Sequence, residues 1–177
     1  MRPLPLSVFE IVKVDTKDLD DLRQLSIETF VHAFGALNTK ENMQLYLAQA
    51  FSIEQLNSEL NNPDSFFYYV LQDKKIAGYL KLNSGRGQTE IKSANGLEIE
   101  RIYVHPEFQG NGLGSKMLDF AKEIGNKLKK DFIWLGVWDQ NQGAIRFYQR
   151  NGFYQFDSHA FMLGKDRQID LLLRLDL

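Results

Sequence analysis

The sequence has no cysteine, which excludes disulfides, thiolate metal sites and a cysteine nucleophile. Its three histidines, His32, His105 and His159, show neither metal-ligand spacing nor a triad pattern, so each reads as structural or surface and no metal is expected. No apolar run approaches the roughly 18 residues of a membrane-spanning helix. In the opening MRPLPLSVFE, prolines and then Glu10 interrupt any signal-peptide core, so a cytoplasmic protein without a membrane partner is expected. Excess charge of either sign is also missing: 21 Lys and Arg stand against 23 Asp and Glu. The dense basic cluster Lys127, Lys129 and Lys130 ends a helix, where lysines suit the dipole, so no nucleic-acid partner is expected. There is no internal repeat, low-complexity segment or linker.

What is there suits one domain, residues 1–177, with 44% hydrophobic residues to build a core. Val8 to Val14 alternates as a first strand, and a helix follows over Leu19 to Phe34, capped from Asp15, Thr16 and Asp18. A second helical region, Lys40 to Leu60, breaks near Ser52 and ends at Pro63. FFYYVLQDKKIAGYLKLN reads as a hairpin turning at Asp73 to Lys75. Ser84 to Gly96 is a polar loop without period, and Leu97 to Val104 is a strand stopped by Pro106. A helix after Gly112 places Leu113, Met117, Ala121, Ile124 and Leu128 on one face. DFIWLGVWD is a buried strand whose Trp134 and Trp138 face one way as core or cleft wall. NQGAIRFYQRNGF is a short helix closing at Asn151 and Gly152, and two strands complete the chain.

The chemistry gathers where the strand IERIYV meets the helix, at HPEFQGNGLGSK. A glycine-rich turn there exposes backbone N–H groups that no helical carbonyl reaches, at the positive end of the helix dipole, so its natural guest is an anion such as phosphate. The order Gly110, Asn111, Gly112, Leu113, Gly114, Ser115, Lys116 puts the lysine in the wrong place for a Walker A loop. A dinucleotide fingerprint would need its last glycine or alanine at Ser115, and the 63 residues after Gly114 are too few for the rest of a doubly wound sheet.

Gln109, Gly112 and Gly114 instead form Gln-x-x-Gly-x-Gly, which resembles the acyl-coenzyme A signature of the Gcn5-related N-acetyltransferases. NQGAIRFYQRNGF resembles the second half of that family's pattern, at the usual spacing and with matching element order over essentially the whole chain. The resemblance implies an α/β (α+β) domain with a mixed, strongly twisted sheet of about seven strands. Helices cover both faces, and the fourth and fifth strands, Leu97 to Val104 and Phe132 to Trp138, splay apart around acetyl-CoA. The N–H groups from Gln109 to Gly114, through Gly110, Asn111, Gly112 and Leu113, would wrap the pyrophosphate. Ile102, Tyr103 and Val104, where the family's strand bulges, would offer their backbone to the pantetheine arm, and Asn141 resembles the residue that hydrogen-bonds it. As a helix N-cap Asn141 has a compatible structural explanation.

Transfer of acetyl to an amine needs a base for the ammonium and an acid for the departing thiolate. Tyr148 stands at the position of the family's thiolate-protonating tyrosine; as a core aromatic, either it or Phe147 must face inward. Glu98 matches the family's general-base glutamate, while Glu100, water, or two merely solvated or salt-bridged carboxylates remain open. LSIETF, FSIEQLNSEL, LEIERIYV and WLGVWDQNQGAIRFY together look like bacterial spermidine/spermine N-acetyltransferases of the Pai type, which implies direct transfer to a small-molecule amine. A protein N-terminal or lysine acetyltransferase and a non-catalytic coenzyme-A-binding module are the alternatives. A homo-oligomer is compatible with the sequence, which does not reveal the acceptor.

Overall fold

The computed structural model describes residues 8–177; residues 1–7, and with them the reading of the amino-terminal stretch, lie outside the described residues. Strand β1 (Phe9–Lys13) leads into helix α1 (Leu19–Phe34), followed by α2 (Lys40–Ala50), α3 (Ile53–Leu60), β2 (Ser65–Gln72), β3 (Lys75–Asn83) and β4 (Gly96–Val104). Helix α4 (Leu113–Lys127), β5 (Phe132–Trp138), α5 (Gln142–Arg150), β6 (Tyr154–Leu163) and β7 (Asp166–Asp176) complete the chain. The seven strands form one sheet in the order β1-β2-β3-β4-β5-β7-β6. Among the described residues only β4 and β5 pair parallel, because α4 carries the chain back across the sheet between them.

The caps follow the sequence. Thr39 and Ser52 accept hydrogen bonds from Asn42 N and Gln55 N and so start α2 and α3, which explains the break at Ser52. The β2–β3 turn holds Asp73 and Lys74 at φ of 50° and 68°, and Asp73 Oδ1 accepts from Val8 N at 2.9 Å. Helices α4 and α5 bury Leu113, Met117, Ala121 and Ile145 against one face of the sheet. Helices α1 to α3 cover the other face with Leu22, Phe30 and Leu56. Each large apolar side chain so buried contributes about 1.5–3 kcal/mol. The apolar stripe of α4 ends sooner than its periodicity suggests: Leu128 lies just past the helix and is exposed, while Leu118 and Gly125 are buried. A Cβ at Gly125 would sit 2.5 Å from Leu177 Cδ1, so a larger residue there would displace the exposed carboxyl-terminal leucine.

Two irregularities shape the middle of the sheet. Strands β4 and β5 pair only at Gly96↔Phe132, Leu97↔Ile133 and Glu98↔Trp134, yet run on to Val104 and Trp138, so a wedge opens between their carboxyl ends. On its other edge β4 stays bonded to β3 as far as Gly78↔Val104, but the register slips between Lys81↔Arg101 and Leu82↔Ile99. The extra residue is Glu100, two positions before the Ile102, Tyr103 and Val104 stretch where the resemblance places a bulge. As a result Glu98, Glu100 and Arg101 all turn to the α1–α3 side, and Tyr103 follows them while Ile102 and Val104 enter the opposite core.

Candidate active site

The turn between β4 and α4 is tied down by side chains and left open along its backbone. Gln109 Nε2 donates to the Val104 carbonyl at 3.1 Å, and Asn111 Nδ2 to Gln72 Oε1 at 3.5 Å. Gly110 and Gly112 have φ of 83° and 74°, which an L-residue rarely adopts, and a Cβ on either would meet nothing within 4 Å. Gly112 caps α4 without a side-chain hydrogen bond, so the N–H groups of Leu113, Gly114 and Ser115, in the first turn, have no helical carbonyl to donate to. At Gly114 a Cβ would lie 3.2 Å from Phe147 Cζ, a tight contact that the α5 ring would have to yield to. The arrangement fits a phosphate, with donors, a dipole end and room together.

A cavity of about 500 Å³ fills the wedge, and Ile102, Tyr103, Val104, Gln109, Asn141 and Tyr148 are among its walls. Gly110, Gly112 and Gly114 do not line it; Asn111 and Leu113 line a smaller hollow of about 190 Å³ on the outer side, with Lys116 and Phe9. Gly78 lets β3 approach β4 at this level, because a Cβ there would run into the Tyr103 carbonyl. Asn141 Oδ1 accepts from Ala144 N at 3.2 Å, the N-cap of α5, while the residue also borders the cavity. Tyr148 rather than Phe147 lines the cavity, its ring packed edge-on against Phe147 and Phe153. Burial pushes the Tyr148 phenol above its ordinary pKa, so it keeps its proton.

Deeper on the α1–α3 side a second cavity of about 260 Å³ adjoins the first, sharing Glu100, Tyr103, Gly136 and Asp170 with it. Glu98 lines this inner cavity and is 3% exposed. Its carboxylate accepts from Asn83 Nδ2 at 3.0 Å, Thr89 N at 2.8 Å and Thr89 Oγ1 at 2.5 Å, and among the described residues it has no cationic partner. Burial raises its pKa; the Asn83 and Thr89 hydrogen bonds oppose that and the Glu100 charge adds to it. Glu100 is committed elsewhere, with Oε2 2.5 Å from Lys81 Nζ and Oε1 3.3 Å from Arg101 Nη2. Burial alone would raise its pKa too, but Arg101 and Lys81 outweigh that and hold the carboxyl below its ordinary value. Glu59 on α3 completes the group, 3.0 Å from Lys81 and 2.8 Å from Arg101.

Three residues of the inner cavity had no signal in the sequence. His159 on β6 has Nε2 3.6 Å from Asp170 Oδ2, its cross-strand neighbour on β7, and Nδ1 2.9 Å from Glu90 Oε1. Glu90 comes from the aperiodic 84–96 segment, which is a roof rather than a free loop. Gln88 accepts from Trp134 Nε1 at 2.7 Å, Thr89 binds Glu98, and Ile91 packs on Phe132, Trp134 and Leu172. Periodicity cannot report contacts of this kind. Among the described residues there is no group of His, Asp and Glu arranged to hold a metal, and no helix long and apolar enough to cross a membrane.

Comparison with known proteins matches residues 19–153 to the acetyltransferase (GNAT) family. An uncharacterized N-acetyltransferase from the pepI 3′ region of Lactobacillus delbrueckii subsp. lactis is 44% identical over 93% of this chain and 95% of its own length. The spermidine N(1)-acetyltransferase of Thermoplasma acidophilum is 26% identical over 81% of this chain and 87% of its own. Among solved structures, the PaiA N-acetyltransferase of Thermoplasma acidophilum in complex with coenzyme A superposes with a TM-score of 0.78 at 24% identity, covering 96% of this chain and 99% of that one.

Proposed function

Because the chain belongs to the acetyltransferase (GNAT) family, we propose that it moves acetyl from acetyl-CoA directly to a primary amine of a polyamine such as spermidine or spermine. The observation that carries the choice of acceptor is the charge of the inner cavity. Glu90, Glu98, Glu100 and Asp170 line it, and its one permanently cationic residue, Arg101, is paired with Glu59 and Glu100. A cavity so lined favours a cation. The 26% identical spermidine acetyltransferase supports the same reading.

Acetyl-CoA supplies the thioester whose acetyl group is transferred. The N–H groups from Gly110 to Gly114 bind the pyrophosphate, while that of Gln109, expected among them, donates to the Pro106 carbonyl at 3.3 Å; the unpaired edge of β4 at Ile102, Tyr103 and Val104 bonds the pantetheine arm as a strand neighbour would, with Asn141 beside it. Glu98, directly or through water, takes a proton from the acceptor ammonium. The freed nitrogen lone pair attacks the carbonyl, the C–N bond forms as the C–S bond breaks, Tyr148 gives its proton to the departing sulfur, and the second proton of the new amide nitrogen is lost to water, from which Tyr148 is reprotonated. No cysteine exists to carry the acetyl group, which favours direct transfer.

Free-thiol release with a panel of spermidine, spermine, simple alkylamines, an arylamine and peptides tests the proposal. The polyamines are expected to show the highest kcat/KM, and KM for spermine is expected to rise more steeply with salt than KM for a monoamine, because salt screens long-range attraction to carboxylates. A peptide or arylamine acetylated with higher kcat/KM than spermidine overturns the acceptor; coenzyme binding without thiol release for any amine makes the chain a binding module.

A further inference from the structure

Gly136 lies in β5 between Trp134 and Trp138 on the same side of the sheet, so one gap separates two large side chains. It borders both the cavity of about 500 Å³ and the inner one of about 260 Å³. Its backbone gives no reason for glycine, because it is absent from the positions with positive φ. Packing gives none either: a Cβ would make ordinary contacts, 3.4 Å from Asp170 Oδ2, 3.7 Å from Leu172 Cδ2 and 3.8 Å from Asp170 Cβ. Glycine inside a strand weakens it through backbone entropy and lost packing. Close approach by a ligand is the explanation that remains.

The rim of the gap is chemically defined. The Asp170 carboxylate is the nearest group to the missing Cβ and faces both cavities. His159 Nε2, directly across from it on β6, lies 3.6 Å away, and Asp170 sits one residue after the Ile169 carbonyl that accepts from Asp139 N at 3.0 Å. Glu90 on the roofing segment and Asp139 after β5 are the other charged groups acting on Asp170, and both are anionic.

Resting on the acetyl-transfer reading of the site, we propose that Gly136 is a specificity-determining position: the space its side chain would fill is the passage by which the acceptor nitrogen reaches the thioester, and Asp170 is the acceptor-binding carboxylate at its rim. The passage admits an extended amine chain from the inner cavity and excludes a branched one. A side chain at 136 closes it from the sheet side while leaving the glycine turn and the β4 edge, on the far side of the wedge, unchanged.

The test is calorimetry with non-reacting probes that extend past the sulfur: coenzyme A, S-propyl-coenzyme A and S-(3-aminopropyl)-coenzyme A. In the parent protein the propyl thioether should bind about as tightly as coenzyme A and the aminopropyl thioether more tightly. Gly136→Val should leave the Kd of coenzyme A within about twofold and weaken S-propyl-coenzyme A by about 10- to 100-fold, the cost of overfilling a packed site. Gly136→Ala should show the same effect in smaller measure and decides the matter if the valine variant does not fold. Asp170→Asn should leave the propyl probe unchanged and abolish the advantage of the aminopropyl probe, about tenfold for a charged hydrogen bond. Equal losses for coenzyme A and its thioethers in the Gly136 variants, or no loss for either, overturn the passage; an undiminished aminopropyl advantage in Asp170→Asn overturns the role of Asp170. Failure of the parent protein to acetylate spermidine sinks the polyamine reading alone and leaves these binding comparisons standing.

Discussion

Replacing Tyr148 by phenylalanine isolates one proton. The ring is clasped by Phe147 and Phe153 at centroid distances of 5.3 and 5.7 Å, contacts that phenylalanine reproduces. The hydroxyl lies at the wall of the large cavity and forms no hydrogen bond to another described residue, so its removal breaks no network and should change stability by less than about 0.5 kcal/mol. What is lost is the donor for the sulfur. General-acid catalysis is worth about 10²- to 10⁴-fold, and a thiolate is a good enough leaving group to place this step at the lower end, on the order of 10² in kcat. That corresponds to about 2.7 kcal/mol at the transition state alone. Steady-state thiol release gives kcat, calorimetry with coenzyme A gives binding, and a thermal melt gives stability; only the first should move. Tyr103→Phe is the control, because this second buried phenol borders the same cavity. Activity of Tyr148→Phe above half the parent value refutes the role, and parallel losses of binding and melting temperature reduce Tyr148 to a packing residue.

Local pattern made the elements legible. Helix α1, the α2–α3 break and the β2–β3 hairpin fall where capping residues, apolar period and turn residues place them. The glycine turn was legible because positive φ favours glycine at Gly110 and Gly112, and at Gly114 a side chain would crowd Phe147. Alternation failed at Glu100. It correctly puts Glu98 and Glu100 on one side, but an extra residue in β4 keeps Arg101 on that side and transfers Tyr103 to it, and this depends on the pairing with β3, which has no local signature. The inner cavity was illegible for a related reason. Glu90 belongs to a roofing segment far in sequence from the β6–β7 hairpin that carries His159 and Asp170, and the three are joined only by cross-strand register and side-chain contact.

Three further perturbations test the rest of the site. Gly112→Val should weaken coenzyme A binding by at least about 1–2 kcal/mol through the strained φ and lost N–H contacts, measured by calorimetry; unchanged affinity in a folded variant rejects the turn as the phosphate site. In Glu98→Gln, kcat/KM for the amine should fall most below the amine pKa, where the substrate is still an ammonium and Glu98 is ionised; the loss should shrink at high pH as the amine frees itself, and again at pH low enough to protonate Glu98, whose pKa burial raises. A uniform fall across pH leaves Glu98 only a cation-binding role, and no fall leaves it structural. The last concerns Arg101, which with Lys81 balances the buried charges of Glu59 and Glu100. Arg101→Met leaves two carboxylates facing one lysine and should cost about 3–5 kcal/mol in urea unfolding, the penalty of an uncompensated buried charge. Because Arg101 and Lys81 hold the Glu100 pKa below its unfolded value, this carboxylate adds stability above the unfolded pKa that is lost as pH falls through the folded one. The acid limb of the stability curve should therefore shrink in Arg101→Met. An undiminished limb would mean that the arginine packs against Phe51, 5.0 Å from its ring centre, without governing the charge at the bulge.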